Sequence, residues 1–389
     1  MHPLYAEMKT TVFEAMSALA RANDAINLGQ GFPDDPGPRD VLERAAAAVL
    51  DGWNQYPPMM GLPELRQAMT AHYRRFQDLE LDWQAETLVT SGATEALAAS
   101  LFALIEHGDE VVLIQPMYDA YLPLVRRAGG VPRFVTLRPP SWRLDEEALR
   151  RAVSPKTRVI LVNTPLNPAG RVFSPDECAL LGTVAAECDA VVVSDEVWEH
   201  VVFAPARHHT LLAVPGLRER CVKIGSAGKI FSLTGWKVGL VAAAPGLLQG
   251  IAKAHQFLTF TTPPNLQSAV AYGLGKPDVF FEGLAGGLAA KRDHFAGGLE
   301  RAGFSVLPCE GTYFLNLDLD ASGIALDDLE FCRLMVNEGG VAAIPVSAFY
   351  AEQAPSNVVR FCFAKSDATL DAAIERISAF RKRMASALT

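Results

Sequence analysis

Paired cysteines are missing from this chain. It has six cysteines, Cys178, Cys188, Cys221, Cys309, Cys332 and Cys362, and none forms a C-x-x-C pair or joins a Cys/His cluster at zinc spacing. Most sit in apolar runs such as VVRFCFA, so reduced core thiols in a reducing compartment are expected, and no metal site. A dense basic block is missing too. RKR at 381–383 is short, and a net charge of −9 argues against nucleic acid as a partner. The N-terminus has no basic segment followed by an apolar one, and no apolar run reaches membrane-spanning length. A cytoplasmic protein is expected, without membrane association. Two glycine signatures are also lacking. No glycine stands five positions before Gly228 and Ile230 replaces the required Ser/Thr, so SAGKIFS is not a P-loop. GQGFPD lacks the third glycine of a dinucleotide fingerprint and runs into proline, which excludes a nucleotide-binding dehydrogenase.

What the chain does have is length and a regular alternation. Its 389 residues suit one large and one smaller domain, and half of them are hydrophobic. Short apolar runs (86–90, 110–116, 131–137, 157–163, 190–195, 221–225, 238–244) read as strands. Amphipathic runs between them, such as TEALAASLFALI, LDEEALRRAV and SPDECALLGTVAAEC, read as helices. Wholly apolar strands separated by helices imply an α/β fold, with a mostly parallel central sheet covered on both faces. After about residue 275 the pattern changes to a second, smaller α/β unit closed by a helix from about 367. The expected division is an N-terminal arm with part of the small domain (1–40), a large domain (41–275) and a small C-terminal domain (276–389).

In such folds the chemistry sits where strands end. After 86–90 comes SGATEAL, either an ordinary N-cap or an anion site at a helix N-terminus. The run 190–195 ends in Asp195, followed by Glu196; Asp195 is an acid serving as a cap or as the partner of a ligand cation. Asn167 precedes a proline, as a turn residue or an amide donor to a ligand. Ser226, Lys229 and Lys237 crowd together in SAGKIFSLTGWKVG; Lys229 is a solvated loop lysine, or a buried one whose lowered pKa makes it a nucleophile toward carbonyls. Arg360 interrupts an apolar run, and needs an anion only if it faces inward. A phosphate cradle, an acid for a pyridine nitrogen, a Schiff-base lysine and a carboxylate-binding arginine are together what one cofactor requires.

The segments NLGQGFPD, NQYPP, TSGATEAL, NTPLNP, SDEVWEH, SAGKIFSLTGWKVG, GTYFL, AIPVSAFY and RFCFAK carry a resemblance, from about residue 24 to the C-terminal helix. The sequence resembles class I aminotransferases of PLP fold type I, above all the kynurenine, glutamine and methionine aminotransferase group. The resemblance implies pyridoxal 5'-phosphate, held by Lys229 as a Schiff base, with Asp195 on the pyridine nitrogen and Asn167 on the phenolic oxygen. Tyr118 would stack on the ring. Ala93, Thr94, Ser226 and Lys237 would hold the phosphate, together with Tyr56 from the partner of a homodimer with shared active sites. Arg360 would clamp the substrate carboxylate beside Gly31 and Asn167, and Phe13 and Phe260 would line the side-chain pocket. One position departs: where the family has D-x-x-Y, this chain has Trp198, which removes a hydroxyl from the cofactor site and implies an altered Schiff-base pKa. The implied substrates are an L-amino acid with an uncharged, aromatic or thioether side chain, such as Met, Gln, Phe or kynurenine, and a 2-oxo acid. A β-lyase acting on cysteine conjugates is the rival on the same scaffold. A regulator's cofactor-sensing domain is disfavoured, because the chain carries no basic helix-turn-helix extension.

Overall fold

The computed structural model describes residues 1, 3–6 and 8–387. Thirteen strands and fourteen α-helices are formed among the described residues. In chain order the strands are β1 (Ile26–Asn27), β2 (Thr87–Thr90), β3 (Glu110–Gln115), β4 (Val131–Thr136), β5 (Thr157–Asn163), β6 (Val191–Asp195) and β7 (Cys221–Ser226). Then come β8 (Gly239–Ala243), β9 (Ser305–Val306), β10 (Phe314–Asp318), β11 (Val341–Ala342), β12 (Ile344–Pro345) and β13 (Val358–Cys362).

Seven strands form the central sheet in the order β2-β8-β7-β6-β5-β3-β4. The apolar runs read as strands in the sequence are these seven. Side chains alternate between the faces, as the two-residue period of a strand requires. Ile160 and Val162 of β5 enter one core, with Leu65, Met69, Leu181 and Val270 from the helices Pro63–Gln77, Pro175–Glu187 and Pro264–Leu274. Val159 and Leu161 enter the other, with Leu97, Leu101, Leu248 and Ile251 from the helices Ala93–Leu104 and Pro245–Leu258. Each such side chain contributes about 1.5–3 kcal/mol by leaving water. The edge strand β4 is partly exposed along its length and carries Arg133 and Pro132, residues that discourage further pairing.

One strand runs against the rest. β8 pairs antiparallel with both β7 and β2. The link before it holds only the four-residue helix Ala227–Ile230 and the three-residue 3-10 turn Thr234–Trp236, too little for a covering crossover helix.

The second sheet is antiparallel, in the order β12-β13-β10-β9. Its core gathers Phe295 and Leu299 from the helix Asp278–Arg301, Phe331 and Met335 from Asp328–Gly339, and Ile377 and Phe380 from Asp367–Ala387. Met16 and Ala20 of the helix Val12–Ala22 join this core, and β1 pairs with β11. The 24-residue helix Asp278–Arg301 places Phe281 in the first core and Phe295 in this one. Near Phe281 lies an aromatic nest in which Nε2 of His72 is 2.6 Å from Nε2 of His200. Burial pushes both imidazoles down to about 3. No helix among the described residues is long and apolar enough to cross a membrane.

Candidate active site

The reversal of β8 gathers the site. Gly239, at the start of β8, is paired with Ser226 at the end of β7 and with Thr90 at the end of β2. Residues 91–94, 226–229 and 237 therefore share one rim with the ends of β5 and β6. There a cavity of about 350 Å³ is lined by Gly92, Ala93, Thr94, Asn163, Asn167, Asp195, Trp198, Ser226, Lys229 and Lys237. Gly92 has φ 81°, and a Cβ on it would lie 3.0 Å from Cε of Lys237. A side chain there would push the lysine out of the cavity. Glycine thus brings a lysine ammonium up to the first turn of the helix Ala93–Leu104, whose leading N–H groups have no partners within the helix.

Asp195 is 4% exposed at the end of β6. Its carboxylate accepts from the Tyr121 hydroxyl at 2.6 Å and from the Val197 N–H at 3.3 Å. Burial outweighs both bonds and pushes its pKa up to about 6. Lys229 follows β7. Its Nζ donates to the Tyr313 hydroxyl at 2.9 Å and stands 4.5 Å from the centre of the Trp198 ring. Burial brings this amine down to about 8, so a sizeable neutral, nucleophilic fraction exists near neutral pH.

Arg360 resolves the ambiguity of its apolar run. On β13 it is 2% exposed and faces inward. Nη1 donates to Asn167 Oδ1 at 2.8 Å and Nη2 to the Gly29 carbonyl at 2.9 Å, while Nε has no partner. Phe314, Phe349 and Phe13 lie against the guanidinium, at 3.8, 4.8 and 5.6 Å to their ring centres. Among the described residues no carboxylate forms an ion pair with it, and burial lowers its pKa to about 10. A buried cation without a counter-ion, opening on a cavity, is a receptor for an anion.

Of the residues singled out in the sequence, Phe13, Gly31, Ala93, Thr94, Tyr118, Asn167, Asp195, Trp198, Ser226, Lys229, Lys237 and Arg360 line this one cavity. Tyr56 and Phe260 do not. Tyr56 is 80% exposed and meets Phe260 edge-on at 5.5 Å on the surface, so neither ring lines this cavity. The sequence reading missed Tyr121, Asn163, Tyr313 and Phe314. Asn163 donates to the Asp195 carbonyl and accepts from the Asn167 N–H, which fixes the loop after β5. Its position as the last residue of an apolar strand was the available signal.

Residues 23–377 match the family described as aminotransferase class I and II. The chain belongs to it. The probable N-succinyldiaminopimelate aminotransferase DapC of Mycobacterium tuberculosis is 44% identical over 387 residues, covering 97% of each chain. The methionine aminotransferase of Escherichia coli K12 is 42% identical over 371 residues, covering 95% of this chain and 96% of that one. A solved Escherichia coli structure described as identifying a methionine aminotransferase function superposes with a TM-score of 0.94 at 41% identity, over 97% of this chain and 99% of that one. This aminotransferase has the PLP fold type I, and its cofactor is pyridoxal phosphate. The site fits that group. Lys237 at the helix start suits a phosphate, and the buried Asp195 carboxylate, with no cation bonded to it among the described residues, suits a protonated ring nitrogen.

Behind Asp195 the aminotransferase buries a charged cluster. Lys223, in the middle of β7, lies 3.1 Å from Glu196 and 2.6 Å from Glu199, all three side chains inaccessible to solvent. His208 bonds Glu196 at 2.8 Å. Burial alone would raise the Glu196 pKa and lower that of Lys223. Their mutual attraction reverses both, so each stays charged. Glu196, Glu199 and His208 bring ligand atoms within 4.8 Å of one another, and the Lys223 ammonium is the cation already among them.

Proposed function

We propose that this aminotransferase takes the amino group from an L-amino acid with an uncharged, aromatic or thioether side chain and passes it to a 2-oxo acid. The observation that carries the reading is Arg360, buried in the same cavity as Lys229 and Asp195 and without an ion-paired carboxylate among the described residues. Arg360 binds the substrate carboxylate, with Asn167 and Gly31 beside it. Lys229 holds the cofactor and then, once freed, carries the proton at the substrate Cα. Asp195 keeps the ring nitrogen protonated, Tyr118 packs against the ring, and Ala93, Thr94, Ser226 and Lys237 hold the phosphate. Bound pyridoxal phosphate supplies the electron sink for the carbanionic charge at Cα.

For the substrate side chain the cavity offers Phe13, Tyr118, Trp198 and Phe314, together with Gln30 and Asp119. Among the described residues no second arginine lines it, and Asp119 would repel a distal carboxylate. This favours methionine, glutamine, phenylalanine or kynurenine over an acidic donor. The exposed Leu50, Trp53, Tyr56, Phe257 and Phe260 support a homodimer, with Tyr56 completing the partner's phosphate site. Six free thiols support a reducing compartment, the cytoplasm.

The test is the absorbance of the purified enzyme, titrated with a panel of L-amino acids and no 2-oxo acid. Bleaching by methionine, glutamine or aromatic donors, and recovery with a 2-oxo acid, is the expected result. N-succinyldiaminopimelate as the strongest donor would overturn the side-chain assignment. Steady pyruvate release from cysteine conjugates without bleaching would establish the lyase instead.

A further inference from the structure

We infer that Tyr313 is a positioning residue that holds the free Lys229 amine in line with the substrate and couples it to the 29–31 loop. The inference deepens the proposed function and rests on Lys229 being the cofactor lysine.

The geometry is specific. Tyr313 is 1% exposed, immediately before β10. Its hydroxyl donates to the Gly31 carbonyl at 2.6 Å. With its one hydrogen so used, the oxygen turns a lone pair toward Lys229, which donates to it at 2.9 Å. The ring is clamped edge-on to Trp198, with centres 4.4 Å apart at 90°, and Lys229 Nζ lies 5.2 Å from its centre. Trp198 offers the amine a ring face. Among the described residues, the hydroxyl bonded to the amine is that of Tyr313.

Loop 29–31 is thereby tied twice. The Gly29 carbonyl accepts from Arg360, and the Gly31 carbonyl accepts from Tyr313. A carboxylate arriving at Arg360 and the amine leaving or returning to Tyr313 pull on the same three residues. The acceptor lone pair also favours the ammonium form of Lys229, against the burial that disfavours it. Other charged or titratable groups facing the amine are Asp195 at the end of β6, Arg360 and Cys362 on β13, and Lys237 before β8. Tyr118, Tyr121 and Asp119 stand around Asp195 and Arg360.

Tyr313→Phe keeps the ring and its packing on Trp198 and removes only the oxygen. The experiment uses the enzyme loaded with pyridoxamine phosphate, in which Lys229 carries no cofactor bond. Its modification by trinitrobenzenesulfonate is followed across pH by peptide mass spectrometry. The unsubstituted enzyme, loaded in the same way, sets the reference midpoint. In Tyr313→Phe the midpoint should fall by about one unit, with Lys229 labelled up to roughly tenfold faster below it. In turnover, kcat should fall about tenfold with little change in KM for the donor. Replacing Tyr313 with 3-fluorotyrosine, which keeps ring and hydroxyl but weakens the acceptor, should move the midpoint the same way by less. It serves if the phenylalanine variant does not fold. An unchanged midpoint in the folded variants overturns the role of Tyr313. Borohydride reduction of the pyridoxal-loaded enzyme separates the two ideas: a label on a residue other than Lys229 removes the underlying reading, whereas a label on Lys229 with an unmoved midpoint removes only this inference.

Discussion

Replacing Arg360 by methionine should damage catalysis and leave the fold nearly untouched. The guanidinium is buried with no carboxylate paired to it among the described residues, so its charge already costs the fold desolvation free energy. Methionine removes that cost, but leaves Asn167 Oδ1 and the Gly29 carbonyl without their donors. Each orphaned acceptor costs about 1–3 kcal/mol, so the two effects oppose each other and the net stability change should stay within about 2 kcal/mol. The substrate loses the bidentate partner of its carboxylate. Breaking a buried ion pair costs about 3–5 kcal/mol, or roughly a hundredfold to a few thousandfold in kcat/KM. The assay compares kcat/KM for L-methionine with that for 3-(methylthio)propylamine, which lacks the carboxylate, alongside thermal unfolding. The parent enzyme should strongly prefer the amino acid, and Arg360→Met should treat the two alike. An equal loss on both substrates would refute the carboxylate role, and a large fall in Tm would mean that Arg360 is a structural residue.

Asp195 has a pKa raised to about 6, so its contribution to stability is present at low pH and is lost as pH rises through 6. Asp195→Asn should therefore stabilise the cofactor-free chain at pH 7.5 but not at pH 4, as read from urea midpoints, while abolishing most activity. In Gly239→Ala the new Cβ would lie 2.3 Å from Thr90 Oγ1 and 2.7 Å from the Gly92 carbonyl carbon. Overpacking of about 1–3 kcal/mol, focused on the phosphate rim, should weaken cofactor affinity more than the fold, measured by fluorescence titration. Lys223→Met strands two buried carboxylates and should cost about 3–5 kcal/mol in denaturant unfolding, with part of the loss recovered by adding Glu199→Gln. Trp198→Tyr should shift the pH-dependent absorbance of the bound cofactor; identical titrations for the two proteins would remove any tuning role for Trp198.

The sheet was legible because its strands are apolar on both faces, and their ends marked Asp195, Asn167 and Lys229. The direction of β8 was not legible: VGLVAAA reads the same either way, and only the short link before it argues for reversal. Arg360 could be found but not oriented, since a strand shows its two faces alternately and burial decides which way a residue points. Tyr313 stayed hidden because its partners, Lys229 and Gly31, are far from it in the chain. Lys223 did leave a trace, a lone charge inside the apolar CVKIG, but its two glutamates follow the preceding strand.

The His72–His200 contact behaves as a selector. His72 Nδ1 lies 3.3 Å from the Leu274 carbonyl, which can only accept, so that nitrogen carries the hydrogen. A neutral imidazole has one such hydrogen, so His72 Nε2 is bare and His200 Nε2 must donate to it. The two rings are thus locked in opposite tautomers, a pattern visible in their ¹⁵N chemical shifts. One carbonyl at the end of the helix Pro264–Leu274 thereby dictates, two rings away, the proton placement of a residue in the segment that carries Asp195 and Trp198.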